Sequence, residues 1–294
     1  MKRIIECPVC SGAEFKHVDN CIDYTVSSEQ FTIEACKACG FILTNPQPDS
    51  ANLANYYISQ DYISHTNKAN SIIDRLYLIA RQYTLRWKKN IIHRNSSGRD
   101  LLDFGCGTGS FIQYMQTQGW NTFGFEPSPA ARKIAQHITH NDVFSDIAEL
   151  NESMFDVITL WHVLEHVPDL NQTIETLKKH LSTNGIILIA VPNHDSPDRK
   201  KYKANWAAYD VPRHLWHFNQ HSLQHLFLKH GLRIVKTIPM KLDSYYISLL
   251  SEKYKNGNKS SFFHLPKAFI AGLMANISAS RSNNYSSLIY IIKK

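Results

Sequence analysis

The chain has 294 residues, of which 43% are hydrophobic and 19% charged, and a formal net charge of +7. This is enough apolar material for one sizeable core with a small satellite domain, and no apolar run reaches the roughly 20 residues a membrane span needs. MKRIIECPVC carries no signal-peptide core, so a cytoplasmic protein is expected. The charge is uneven, −3 over residues 1–60, +5 over 61–100, −6 over 101–193 and +11 over 194–294. The basic C-terminal third suits an anionic partner, whether a phosphorylated small molecule, RNA or a membrane surface, and equally suits plain solubility.

Four of the six cysteines form two pairs, Cys7-Pro-Val-Cys10 and Cys36-Lys-Ala-Cys39, with 25 residues between them. Each two-residue gap lets one turn present two thiolates to one ion, and two such knuckles complete a tetrahedral zinc site. With four thiolates and no position left for water, the zinc is expected to be structural, in a ribbon over residues 1–48. Zinc ribbons often hold nucleic acid, but the local charge of −3 argues for a packing role.

The next stretch, TNPQPDSANLANYYISQDYISH, has two prolines followed by Tyr56, Tyr57 and Tyr62, which reads as a turn and a short helix. Ile72, Leu76, Ile79, Tyr83, Trp87 and Ile91 recur at steps of three and four, predicting an amphipathic helix over 68–94. Residues 49–97 therefore form a helical linker or lid between the ribbon and a core domain over 98–294.

That core opens on LLDFGCGTGSF, an apolar run ending in three alternate glycines, and reads as strand, tight turn and helix. NTFGFEPS, PAARKIAQHI, NDVFSDIAEL, FDVITLWHVLEHV, LNQTIETLKKHL and GIILIAVPN continue the alternation of strands and helices. The fold class expected is α/β, a doubly wound Rossmann-like sheet that binds its ligand at the carboxyl ends of the strands. A nicotinamide fingerprint, GxGxxG, would need glycine at position 110, where Ser110 stands.

The pattern present, Asp103-x-Gly105-x-Gly107-x-Gly109, resembles motif I of class I S-adenosylmethionine-dependent methyltransferases. The resemblance implies a seven-stranded methyltransferase sheet and a cofactor, S-adenosylmethionine, with S-adenosylhomocysteine as product. It places Asp103, Gly105, Cys106, Gly107, Thr108 and Gly109 against that cofactor. Glu126, followed by Pro127, stands where the family has an acid for the ribose hydroxyls. Asp146 and Ile147 match the residues near the adenine, and Leu160, Trp161 and His162 line the pocket. His162-Val-Leu-Glu165-His166 also spells an inverted zinc-protease signature, but it follows a predicted strand and precedes Pro168, so Glu165 and His166 read as structural or as facing substrate.

The segment NWAAYDVPRHLWHFNQHSLQHLF supplies Tyr209, Asp210, Arg213, His214 and His217 within nine residues. It resembles the PRHLxHF segment of methyltransferases that also carry an N-terminal cysteine ribbon, a group including quinone-precursor O-methyltransferases and sugar-nucleotide C-methyltransferases. His214 or His217 is the expected base and Tyr209 a substrate contact. Residues 221–230 read as a helix, GLRIVKTIPM and SSLIYIIKK as the terminal strands, and insertions around 194–222 and 243–284 as a cap. The second insertion could instead form a dimer face or rest on a membrane surface. The expected function is transfer of a methyl group to a small anionic metabolite. An RNA methyltransferase, or a non-catalytic zinc-ribbon scaffold on the same fold, is the alternative.

Overall fold

The computed structural model describes residues 1–57, 72–139, 143–257 and 264–294. Tyr62, the start of the helix expected from residue 68, the loop at 140–142 and the middle of the second insertion at 258–263 lie outside these described residues. The chain clusters into two units. One comprises Met1–Ser59, His162–Ile174 and Ile189–Tyr290, the other Gln60–Trp161, Glu175–Leu188 and Ile291–Lys294.

In the first unit, strands β1 (Phe15–Ile22), β2 (Gln30–Cys36) and β3 (Ile42–Thr44) form an antiparallel sheet. A fourth strand, β9 (Trp216–His217), joins its edge with Ile42 opposite His217 and Leu43 opposite Trp216. The cysteine-rich segment is thus completed by residues from the PRHLWHF stretch. Asp49 accepts the Asn52 N–H at 3.0 Å and starts helix α1 (Ser50–Leu53).

The second unit begins with α2 (Ile72–His93). Ile91 and Ile92 are buried, whereas Tyr83, expected on the same apolar face, is 62% exposed. Steps of four run ahead of the 3.6-residue turn, so position 83 drifts off the stripe that 87 and 91 define. Strands β4 (Asp100–Phe104), β5 (Asn121–Phe125), β6 (Val143–Phe144) and β7 (Phe155–Trp161) follow, with α3 (Ser110–Thr117) and α4 (Pro129–Thr139) between them. The pairs β4–β5, β4–β7 and β5–β6 are parallel. After α5 (Leu170–Lys179), strand β8 (Leu181–Pro192) carries a run from Ile186 to Ala190 with no exposed surface, the continuous apolar pattern of a strand covered on both faces.

The rest of the chain supplies α6 (Pro197–Tyr202), α7 (Gln220–Lys229), β10 (Arg233–Pro239), α8 (Asp243–Lys255), α9 (His264–Ser282) and β11 (Ser287–Lys293). The large sheet has seven strands in the order β10-β11-β8-β7-β4-β5-β6. This is the mostly parallel, Rossmann-like methyltransferase architecture that the motif order implies.

Arg213 anchors the first unit. Its guanidinium is 3% exposed, donates to Asp210 at 2.7 Å and Asp23 at 2.9 Å, and reaches the Tyr56 carbonyl at 3.0 Å. Asp23 in turn accepts the N–H groups of Thr25 and Ser27, fixing the β1–β2 turn. Burial disfavours both carboxylates, but Arg213, joined by His214 at Asp210, overrides it and holds them below the ordinary aspartate range. Replacing Arg213 by Leu strands the buried Asp23 carboxylate and the partly exposed one of Asp210, and is expected to cost roughly 3 kcal/mol. Because groups with lowered pKa values stabilise the fold above their unfolded pKa and cease to do so as pH falls through the folded one, the variant's thermal-melting deficit should be full at neutral pH and shrink only as pH falls below about 4.

Candidate active site

Within the second unit, the turn after β4 takes three left-handed residues in five, with φ of +80° at Gly105, +56° at Gly107 and +79° at Gly109. At Gly109 a Cβ would sit 2.9 Å from the Ala135 backbone, so α4 packs directly on the turn. At Gly107 nothing lies within 4 Å of a Cβ position. The backbone there is open to a ligand. Cys106 beside it is buried, while Thr108 is exposed.

Glu126, at the end of β5, is 8% exposed. Its Oε2 accepts the Gly107 N–H at 2.8 Å and its Oε1 the Ser128 N–H at 2.9 Å. Each oxygen keeps a second acceptor position, which suits a diol. Pro127 is exposed, and Arg132 donates to the carbonyls of Glu126 and Pro127. Asp146 caps the turn Ile147–Leu150 by accepting the Ala148 N–H at 2.9 Å, so one of its oxygens is already occupied.

Asp103 is 3% exposed and accepts the Thr159 hydroxyl at 2.6 Å. Burial pushes its pKa up to about 6, against the pull of Thr159 and Lys88 and with the help of Glu126. Leu160 is fully buried in β7. Trp161 meets Phe111 edge-on at 5.4 Å, and its indole Nε1 is buried with no hydrogen-bond partner among the described residues. The Lys88 ammonium lies 4.0 Å from the Trp161 ring centroid, and Arg81 donates to the Ser110 hydroxyl. Both cations belong to α2, whose sequence reads only as a packing helix, and no local pattern marks them.

The first unit holds the other predicted residues. His162, at φ +58°, is a non-glycine residue in left-handed backbone, as is Asp210 at φ +36°. Such conformations cost about 1–3 kcal/mol and gather at functional sites. His162 Nδ1 lies 3.3 Å from Glu165 and Nε2 3.2 Å from Asp243 of α8. Against the desolvation that would lower it, these two carboxylates raise the His162 pKa to about 10 and keep it an imidazolium.

The remaining histidines sort by their partners. His217 Nε2 is 3.0 Å from the Thr44 hydroxyl, which itself donates to the His214 carbonyl at 2.8 Å. With its one proton used, Thr44 must accept from His217 Nε2–H, so that nitrogen is committed to the ribbon sheet. Burial, with His194, His214 and Arg199 nearby, holds His217 neutral. Tyr209 is 1% exposed, donates to His194 Nε2 at 3.0 Å and accepts from Arg199 at 3.2 Å; burial, opposed by Arg199, pushes its pKa up to about 12.

His214 differs. Its Nδ1–H donates to the Ala208 carbonyl at 2.9 Å, and its Nε2 lies 3.8 Å from an Asp210 oxygen. The His166 ring sits edge-on at 4.6 Å, its Nδ1 against the Arg213 carbonyl at 3.0 Å, and burial together with His214 lowers its pKa to about 4. Glu165, His166 and His214 each bring one donor atom to within 4.8 Å of the others, although they come from segments nearly 50 residues apart.

The four ribbon cysteines also converge. Cys7 and Cys39 Sγ are 3.6 Å apart, as are Cys10 and Cys36, with all four sulfurs within 4.8 Å. Tetrahedral zinc with Zn–S bonds of about 2.3 Å separates its thiolates by about 3.8 Å, so the donor set and spacing fit that ion.

A family model described as a methyltransferase domain matches residues 77–237. The ubiquinone biosynthesis O-methyltransferase of Pasteurella multocida (strain Pm70) is 32% identical over 115 residues, covering 33% of this chain and 48% of the relative. That of Rickettsia akari (strain Hartford) is 27% identical over 129 residues, covering 42% and 51%. The chain thus spans about half the length of these curated relatives. Among solved structures, mycolic acid cyclopropane synthase CmaA1 complexed with S-adenosylhomocysteine superposes with a TM-score of 0.54 at 14% identity, over 84% of this chain and 99% of that one. The magnesium protoporphyrin IX methyltransferase of Synechocystis PCC 6803 gives 0.53 at 14% identity, over 84% and 100%. Those two likenesses carry the fold, and the family match spans more than half the residues. The chain therefore belongs to the methyltransferase-domain family and has the fold of the class I S-adenosylmethionine-dependent methyltransferases.

Proposed function

We propose that this protein is a methyltransferase that binds S-adenosylmethionine over the Gly105–Gly109 turn and methylates a hydroxyl of a small aromatic acceptor of the quinone-precursor type. The observation that carries the cofactor assignment is the Gly107 backbone, open on its outer side and tied to the Glu126 carboxylate. The unpartnered Trp161 indole N–H and the basic Arg81 and Lys88 side chains give the same unit further groups for an amino-acid carboxylate and a nucleoside. The acceptor class rests on the names of the O-methyltransferase relatives.

S-adenosylmethionine supplies an electrophilic methyl on a sulfonium, displaced in line by the acceptor oxygen. This chain's residues then have two tasks. Glu126 and the glycine turn hold the nucleoside. His214 takes the acceptor's hydroxyl proton on Nε2, with its tautomer set by Ala208 and the resulting imidazolium stabilised by Asp210. His217 and Tyr209, whose polar atoms are bound elsewhere in the protein, hold β9 and the 207–217 turn in place. Cys7, Cys10, Cys36 and Cys39 hold structural zinc.

A second reading of the same cluster is favoured by Glu165 Oε2, which is buried with no hydrogen-bond partner. One carboxylate and two imidazoles also make a donor set for a divalent cation, which would acidify the acceptor hydroxyl directly. Chelation that leaves the ribbon zinc in place, checked by metal analysis, separates the two. Unchanged turnover supports the base, and loss restored by magnesium or manganese supports the cation.

His214→Ala is expected to lower kcat by about 10²–10⁴-fold with cofactor affinity unchanged. His217→Ala should instead lower the melting temperature and leave kcat within a few fold. Turnover is read by transfer of labelled methyl from S-adenosylmethionine to catechol-type acceptors. Metal analysis of the purified chain should find zinc at one ion per molecule, and Cys36→Ser should lower both its content and the melting temperature.

Asp103 gives a test by pH. Its folded pKa lies above the ordinary aspartate value, so it favours the fold at low pH and that contribution disappears as pH rises through about 6. At neutral pH the buried charge costs roughly 3 kcal/mol. Asp103→Asn should therefore raise the melting temperature at pH ~8 and not at pH ~4, while weakening S-adenosylhomocysteine binding. In the wild type that binding, measured by calorimetry, should weaken as pH falls below about 6, where Asp103 gains its proton.

A further inference from the structure

Helix α9 is amphipathic in the reverse of the usual sense. Its buried side consists of Ala268, Ala271, Gly272, Ala275 and Ala279, and its exposed side carries Leu265, Phe269, Ile270, Leu273, Met274 and Ile277 at 41–61% exposure. The small side is small for a reason. A Cβ at Gly272 would lie within 3.0 Å of the Tyr245 backbone, so α9 approaches α8 too closely for larger residues. Asn276 and Ser244 lock the pair through hydrogen bonds to each other and to the Lys241 and Gly272 carbonyls. The helix is therefore firmly seated, and its large residues face outward: Phe269 stacks one side of its ring on Tyr245 of α8 at 5.1 Å, and among the described residues all six stay 41–61% exposed.

Charge decides what covers them. From Lys253 to Arg281 the sequence has five Lys and Arg residues and no Asp or Glu. The two carboxylates of α8 are both engaged, Asp243 by His162 and Glu252 by the Tyr202 hydroxyl. At about 100° per residue, Lys267 and Arg281 fall along one edge of the exposed apolar strip, and both are exposed. A second copy of this chain would bring the same sign of charge to the contact. The strip exposes on the order of 600 Å², at the upper end of what a monomer shows and short of the ~800 Å² that each side of a standard protein interface buries.

We infer that the α9 face seats on an anionic lipid surface, its large apolar residues entering the headgroup boundary and its cations meeting the phosphates. The contact is peripheral, because no helix among the described residues is long and apolar enough to cross a membrane.

The test is co-sedimentation of the full chain with vesicles of phosphatidylcholine alone and of phosphatidylcholine with phosphatidylglycerol in equal parts. Binding to the anionic vesicles, weakened by salt, is expected, with Phe269→Glu/Met274→Glu lowering the partition by about 10-fold or more. These side chains are more than half exposed, so the variant should keep its affinity for S-adenosylhomocysteine and lose from its melting temperature only what the Phe269–Tyr245 stack contributes. Lys267→Gln/Arg281→Gln should narrow the preference for anionic vesicles. The inference is overturned by absence of binding to either vesicle, by equal binding of wild type and the Phe269→Glu/Met274→Glu variant, or by a dimer in solution that Phe269→Glu dissociates.

Discussion

Positive φ at three alternate residues is the constraint on which the cofactor half of this protein rests. Gly105, Gly107 and Gly109 reverse the chain within five residues of β4, and each neighbouring group takes its place from that reversal. Gly109 lets α4 come down on the turn, and Gly107 points its N–H into the Glu126 carboxylate. A side chain at any of the three would strain the backbone, and at Gly109 it would also lift α4 off the turn. The same reversal buries Asp103 beneath it, with one hydroxyl, Thr159, as its hydrogen-bond donor. A carboxylate so placed is disfavoured by its burial, which Thr159 and Lys88 offset only in part.

What could be read from sequence was what is local. Two CxxC pairs, one glycine turn, an acid at the next strand's end and a regular alternation of strands and helices each sit within a few residues, and the structure arranges them as those patterns imply. What could not be read depends on partners far apart in the chain. Strand β9 completes the ribbon sheet from more than 170 residues away, and Arg213 pairs with Asp23 at a separation of 190. Lys88 reaches Trp161 from a helix whose sequence shows only an apolar stripe. Tyr83 shows the limit even of the local signal, since a step of four is on the stripe once and off it after two repeats.

The histidine-rich segment illustrates why residue type alone does not identify a base. In YDVPRHLWHF, His214 and His217 are three residues apart and look equivalent. Their difference lies in Thr44, whose single hydroxyl proton goes to the His214 carbonyl and which can therefore only accept from His217. One proton on a threonine of the ribbon thus commits one imidazole to structure, while the other has its Nε2 3.8 Å from an Asp210 oxygen. Under the proposed assignment of His214 as the base, the ribbon acts without touching a reacting atom, by committing His217 to structure. The four cysteines, whose donor set and spacing suit structural zinc, lie in the same sheet-bearing segment whose strand β3 pairs with β9.

Helix α9 makes the corresponding point for surfaces. A periodic pattern shows that two faces differ, and it is natural to turn the larger apolar side chains inward. Here close approach governs instead. The Gly272 position meets backbone of α8, so only alanines and glycine fit the inner face, and the bulky residues are left outside by exclusion. Burying small residues recovers little hydrophobic free energy per position, so the pairing of α8 and α9 relies on tight contact and on the Ser244–Asn276 hydrogen bonds. A sequence that puts its Leu, Ile, Phe and Met on the outer face of such a pair leaves a broad apolar strip exposed among the described residues.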